Sequence, residues 1–228
     1  MAEAGTDGPA VFLASQNRKK LEELQRILAP LVPGIRVVGL DDVAPYPEPV
    51  EDQPDFAGNA LLKARAGVAA TGLPALADDS GLCVDALNGM PGVLSARWSG
   101  PADLHAVVGE TPAAVGGGGR ATQDQRNNAL LLAQLADVPD ERRGAHFVCA
   151  VAFCLPDGTE HVVDGRMDGR IIREPRGSGG FGYDVVFCAE GHDVTTAELS
   201  QVEKDAVSHR GKALTAVAPL VAAALRGG

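Results

Sequence analysis

"LPALADDSGLCVDAL" occupies residues 73–87. Two apolar runs, "LPALA" and "LCVDAL", enclose Asp78, Asp79, Ser80 and Gly81. Runs of this length and composition read as buried strands, so the stretch is either two paired strands or one strand and its continuation. Two adjacent carboxylates in such a place repel each other and give up water, and something must compensate them.

Just before this stretch, residues 56–70 read as a helix with Ala60, Lys63, Ala64 and Gly67 along one side. Before that helix, residues 30–54 are proline-rich and acidic, with a strand expected at 35–40 and an extended surface connection at "PYPEPVEDQP". The first apolar run, "VFLA" at 11–14, leads into "SQNRKKLEELQRIL", where Leu21, Leu24 and Leu28 recur at helical spacing. On the other side, "LNGMPG" closes the central unit with turn residues, and residues 109–122 have the composition of a flexible, glycine-rich insertion. A helix is expected from Asp124 to Leu135, then strands at "AHFVCAVAFCL", "EHVVDGRM", "GRIIRE" and "YDVVFCA", and a last helix from Lys212 onward. Strands and helices mix without strict alternation, which predicts an α/β fold with a mixed sheet.

The 228 residues are 45% apolar, enough to bury a core without disulfide staples. A net charge of −10 argues against nucleic acid or an anionic membrane as partner, so any phosphate must be met by a local cluster of cations or a metal. Cys83, Cys149, Cys154 and Cys188 form no CxxC pair and read as free thiols of a reducing cytosol. Residues 1–10 are expected to be a flexible tail preceding one domain over 11–228, without the basic and apolar segments of a secretory signal. The apolar run at 213–225 is too short to span a bilayer and is interrupted by Pro219, so the expected location is the cytoplasm.

Four segments could carry chemistry. Ser15 or Asn17 can cap the first helix, whose N-terminus together with Lys20 suits a phosphate; an ordinary capped surface helix has the same sequence. The Asp78–Asp79 pair suits a hard divalent cation and a general base, while Asp-Asp-Ser-Gly is equally good turn chemistry with both acids in solvent. "RGSGGFGYD", 176–184, holds a formal GxGxxG, but a strand rather than a helix follows, which disfavours a dinucleotide-dependent oxidoreductase. Its glycine loop could instead offer Phe181 and Tyr183 for stacking on a base. Finally, "LSQVEKDAVSHRGKAL" places Lys204, His209, Arg210 and Lys212 within nine residues, either a solvated face or a set of donors for a purine carbonyl.

In this order "ASQNRKKLEEL", "NALLKA", "GLPALADDSGLCVDAL", "MPGVLSARWSG", "IREPRGSGGFGYD" and "AELSQVEKDAVSHRGKAL" resemble the noncanonical purine nucleoside triphosphate pyrophosphatases, the inosine triphosphate pyrophosphatase or XTP/dITP diphosphatase family. The likeness runs from Val11 to Leu225. It implies an elongated mixed sheet flanked by helices, two lobes around a deep central cleft, and a homodimer. It also implies Mg²⁺-dependent cleavage of ITP, dITP or XTP to the monophosphate and pyrophosphate. By the same resemblance Ser15, Asn17 and Lys20 hold phosphates, and Glu51 and Asp79 serve the metal, with Asp78 as a further carboxylate. Asp79 is then also the general base, Ser80 contacts substrate, Phe181, Gly182, Tyr183 and Asp184 form the base platform, and Lys204, His209 and Arg210 read the base. Three positions depart from the pattern: Gly58 replaces an acidic residue, "GRMDG" with Met167 replaces a tryptophan-containing element, and Val185 replaces a proline. These departures keep open the alternative of a nucleotide sensor with weak or no turnover.

Overall fold

The computed structural model describes residues 8–101 and 122–226. In chain order the regular elements are β1 (Ala10–Leu13), α1 (Arg18–Leu28), β2 (Arg36–Val38), α2 (Phe56–Thr71), β3 (Ala75–Val84), α3 (Gln123–Gln134), β4 (Gly144–Cys154), β5 (Glu160–Ile171), β6 (Phe187–Ala189), α4 (Gln201–Val207) and α5 (His209–Arg226). Among the described residues the strands form one sheet in the order β2-β1-β3-β4-β5-β6. β1 runs parallel to both β2 and β3, whereas β5 and β6 are antiparallel, so the sheet is mixed as the sequence predicts. The chain forms two compact units: the first takes the residues through Ser80, Val148–Arg166 and those from Ser208 onward, and the second takes Gly81–Phe147 and Met167–Val207.

Within residues 73–87 the two apolar runs form one strand, β3 (Ala75–Val84), whose part in the first unit has Ala75, Leu76 and Ala77 fully buried. Leu24 and Leu28 of α1, Val217 and Val221 of α5, and Val151 and Phe153 of β4 share one apolar core with Val11 and Leu76. Asn17 caps α1 by accepting the Lys19 N–H at 3.0 Å. Gln25 ties the same helix to β2, donating to the Ile35 carbonyl at 3.0 Å and accepting from the Val37 N–H at 2.9 Å. Asp55 caps α2 through the Gly58 N–H at 2.7 Å. Gly165 of β5 lets α5 approach, because a Cβ there would overlap the His209 carbonyl.

In the second unit Leu82, Val84, Leu131, Leu135, Tyr183 and Phe187 belong to a separate apolar core. Buried Arg143 has its charge dispersed over backbone, donating to the carbonyls of Leu135, Ile171 and Ile172. Thr122 and Gln125 form a capping box at the start of α3.

Several expectations change. "EHVVDGRM" and "GRIIRE" are one strand, β5, because Met167 turns inward and fills the second core at 4% exposure. "YDVVFCA" contributes only Phe187–Ala189 as strand. The last helix begins at His209 and runs through Pro219, which lies on the exposed side where water can take the carbonyl its missing N–H leaves open. β1 begins at Ala10, inside the expected tail, and the glycine-rich insertion lies outside the described residues apart from Thr122. Among the described residues no helix is long and apolar enough to cross a membrane.

Candidate active site

Successive residues of a strand point to opposite faces of the sheet, and β3 uses this to separate its two acids. Asp78 faces α1 and α5. Lys20 Nζ lies 2.8 Å from both of its carboxylate oxygens, and Arg210 Nε donates to Oδ2 at 3.3 Å. Asp78 is 6% exposed; burial alone would raise its pKa, but Lys20 and Arg210 outweigh burial and bring it down to about 2. Arg210 also donates to Ser80 Oγ at 3.2 Å, since Ser80 is two residues on and shares the face. The Cys149 thiol, 4.0 Å from Asp78, is pushed up to about 12 by burial and by that carboxylate.

Asp79 faces α2. Asn59, fully buried, donates to Asp79 Oδ2 at 2.9 Å, and Lys63, one turn further along α2, brings its Nζ to 3.8 Å from Oδ1. The same ammonium lies 2.6 Å from Glu51 Oε1. Burial raises the Asp79 pKa above 3.8 and Glu51 adds to the rise, while Asn59 and Lys63 pull against it.

A cavity of about 470 Å³ opens beside these groups, lined by Ser15, Lys20, Glu51, Lys63 and Asp78 together with Tyr46 and Glu48. That volume lies within the ordinary range of small-molecule pockets. Tyr46 packs edge-on against Phe12, and its hydroxyl pKa is raised by burial and by Glu48. Ser15 Oγ accepts the Asn17 N–H at 3.1 Å, so Ser15 and Asn17 are first of all the turn that starts α1.

In the second unit the platform segment is clamped by α3. The Gly182 N–H donates to Asp124 Oδ2 at 2.7 Å, and Asn128 Nδ2 donates to the Gly182 carbonyl at 2.8 Å. Phe181 is 68% exposed, and Lys204 Nζ stands 5.6 Å from its ring centre. Buried Asp184 receives Lys204 Nζ at 2.5 Å, the Phe181 N–H at 2.8 Å and the Thr196 hydroxyl at 2.7 Å. Tyr183 is 3% exposed and donates its hydroxyl to the Ser95 carbonyl, so it anchors the segment and is not presented for stacking.

The structure therefore redistributes the expected residues. The run of donors from Lys204 to Lys212 is divided at Ser208: Lys204 serves Asp184, Arg210 serves Asp78 and Ser80, and Lys212 donates to the Arg166 carbonyl. His209 opens α5 beside Arg210. Arg210, expected to read the base, has its guanidinium engaged by the buried Asp78 carboxylate and by Ser80. The cations that compensate Asp78 are Lys20 and Arg210. Gly58 is fixed sterically: a Cβ there would meet Gln53 Cβ at 2.7 Å and Asp55 Oδ1 at 3.1 Å. Sequence reading missed Asn59 and Lys63 as functional residues, although their spacing within "NALLKA" puts both on one helix face. Among the described residues no three His, Cys, Asp or Glu side chains converge as a ready-made metal cluster. The candidate position is the oxygen pair of Glu51 and Asp79, with the Lys63 ammonium as a positive charge already seated at it.

A pocket in which lysines stand beside carboxylates offers charge of both signs to a ligand. Residues 11–220 match the Ham1 family, and the chain belongs to that family. It is 57% identical over 214 residues to a Nocardia farcinica protein named dITP/XTP pyrophosphatase, across 93% of this chain and 95% of that one. A Corynebacterium efficiens protein of the same name is 52% identical over 219 residues, covering 93% and 97%. Among solved structures, a nucleoside-triphosphatase / dITP/XTP pyrophosphatase from Mycobacterium abscessus superposes with a TM-score of 0.73 at 52% identity, over 92% of this chain and 99% of that one. A HAM1 protein from Coxiella burnetii gives 0.78 at 37% identity, over 93% and 98%.

Proposed function

We propose that the chain is a nucleoside triphosphate pyrophosphatase that hydrolyses the noncanonical purine nucleotides ITP, dITP and XTP to the monophosphate and pyrophosphate. Beyond the relatives' shared name, the observation that carries this reading is a pocket lined by Lys20, Glu51 and Lys63, with Asp79 joined to it through the Lys63 ammonium. Lys20 and the N-terminal turn of α1, with Ser15 and Asn17, would hold phosphate oxygens. Asp79, whose proton affinity burial raises, would take a proton from a water attacking the α-phosphorus. As the new P–O bond forms, the bond from the α-phosphorus to the bridging oxygen breaks and pyrophosphate leaves with that electron pair. Asn59 would keep Asp79 oriented throughout by holding Oδ2. Ser80, held by Arg210, would contact substrate.

Glu51 and Asp79 would hold Mg²⁺. Their oxygens are the donor type a hard divalent cation takes, and the Lys63 ammonium beside both shows that the pair accepts positive charge. When bound, such a cation neutralises charge on the phosphates. Asp78, matched by Lys20 and Arg210, would remain a structural anion at the pocket wall.

In the second unit Phe181 would stack against the base, with Lys204 above the ring and Asp184, Tyr183 and Gly182 fixing the segment. A carbonyl at the six-position can accept from Lys204, whereas the amino group of adenine meets another donor there. A homodimer and a cytoplasmic location belong to the same reading, and sedimentation should give twice the 23.4 kDa chain.

The decisive experiment measures pyrophosphate release from ITP, XTP, dITP and ATP with Mg²⁺. Asp79→Asn should lower ITP turnover about a hundredfold or more with the fold intact. Near-normal turnover by that variant removes Asp79 as the base. A wild-type protein that binds ITP and releases no pyrophosphate is a sensor.

A further inference from the structure

The Glu51–Asp79 pair already has an occupant supplied by the chain itself. Lys63 Nζ is 2.6 Å from Glu51 Oε1 and 3.8 Å from Asp79 Oδ1, with its side chain lining the pocket. Asn59 holds Oδ2 of Asp79 at 2.9 Å, while Oδ1, which accepts the Ser80 N–H at 3.0 Å, lies on the side of the ammonium. Both Asn59 and Lys63 rise from α2, so the arrangement is carried by one helix. We propose that Lys63 is an internal counter-cation that competes with the divalent ion for Glu51 and Asp79, and that it yields the pair only when a polyphosphate offers its ammonium another anion. The inference rests on the assignment of these two carboxylates as cation ligands.

The physical argument is one of like charges. A divalent ion on both carboxylates would sit about 2 to 2.6 Å from their oxygens and hence within a few ångströms of Nζ where it now lies. Two cations that close, in a partly buried pocket, repel strongly. The ammonium must therefore move, and its movement gives up its contact with Glu51. In the absence of nucleotide nothing restores that loss. A triphosphate does, because its oxygens supply negative charge and Lys63 has a flexible stem already at the pocket. Lys63 is thus a positioning residue that makes cation binding depend on substrate binding. It keeps an otherwise repulsive pair of acids closed in the meantime.

The test is direct titration of Mn²⁺ into the full chain without nucleotide, for wild type, Lys63→Met, Lys63→Arg, Glu51→Gln and Asp79→Asn. Lys63→Met should bind Mn²⁺ about tenfold or more tightly than wild type, and Lys63→Arg, which keeps the charge, should stay near wild type. Adding a non-hydrolysable α,β-methylene analogue of ITP should shrink the difference between wild type and Lys63→Met to about threefold or less. A Lys63→Met protein that binds Mn²⁺ no more tightly than wild type, while Glu51→Gln and Asp79→Asn weaken binding, overturns the competition and leaves the ligand assignment standing. Mn²⁺ binding that is indifferent to both acid variants overturns the ligand assignment and the competition with it. Thermal melts of each variant in chelator establish that it is folded, and Lys63→Arg carries the charge comparison should the methionine variant not be.

Discussion

Asp78 shows how one side chain can set the behaviour of several others. Its carboxylate is held ionised by Lys20 and Arg210, at a pKa of about 2 against an ordinary 3.8. A depressed pKa in the folded state means that the stabilisation is complete above about pH 4 and is lost as pH falls toward 2. The size is on the order of 2 kcal/mol. Asp78→Asn should flatten that part of the acid unfolding profile, followed by circular dichroism from pH 5 to 2; an unchanged profile would show that the ion pair adds nothing to folding. Arg210 follows from the same contact. Because it supports Asp78 and Ser80, Arg210→Ala should slow hydrolysis of ITP and of ATP by a similar factor and lower stability by about 1 to 3 kcal/mol. A selective loss of ITP turnover would show that Arg210 reads the base. The acid pair was legible in the sequence as a site needing compensation, and the compensator was not. Lys20 lies 58 residues away and Arg210 lies 132, and no local pattern joins residues at such separations.

At the scale of elements, α3 determines how the aromatic segment is held. Asp124 and Asn128, four residues apart on one face, grip both ends of the Gly182 peptide, and Phe181 is carried just before it. Asn128→Ala removes one grip and leaves the capping box of α3 in place. The expected result is a rise in KM for ITP of about three- to tenfold, from an interaction worth about 1 kcal/mol, with kcat little changed. Equal losses in kcat and kcat/KM would place the effect on the reacting end of the substrate. Periodicity found α1 and α2 because each has a continuous apolar side and a capping residue at its start. It gave no separate helix at Gln201–Val207 and began the last one at Lys212 instead of His209, because the break at Ser208 has neither glycine nor proline. Ser208 there accepts the Gly211 N–H at 3.1 Å and starts a new helix. The strand from Glu160 to Ile171 was divided because glycine and charge at "DGRMDGR" look like a turn, although alternate residues face the core.

For the whole molecule, the mixed sheet was legible because strands and helices mix without strict alternation, whereas the strand order was not, and two lobes were expected from the family resemblance alone. β3, β4 and β5 each contribute residues to both units, and no composition shift marks such a boundary. One expected outcome is that deletion of α5 destroys more than an end. The first core would lose Leu214, Val217 and Val221, and Asp78 would lose Arg210. A chain ending at Val207 should therefore be degraded rapidly in limited proteolysis, where the full chain resists. Survival of the segment around β1 and α1 would contradict this. The 132-residue interval between Asp78 and Arg210 also has a meaning in time. A ribosome delivers the chain from its N-terminus, and α5 is the last of the described elements to be made. Until it arrives, Asp78 is a buried acid with Lys20 alone to meet it, and the first core is incomplete. The nascent chain must therefore wait with a partly open sheet, exposed to chaperones and proteases, and the guanidinium that completes the Asp78 ion pair emerges 132 residues after the acid it meets.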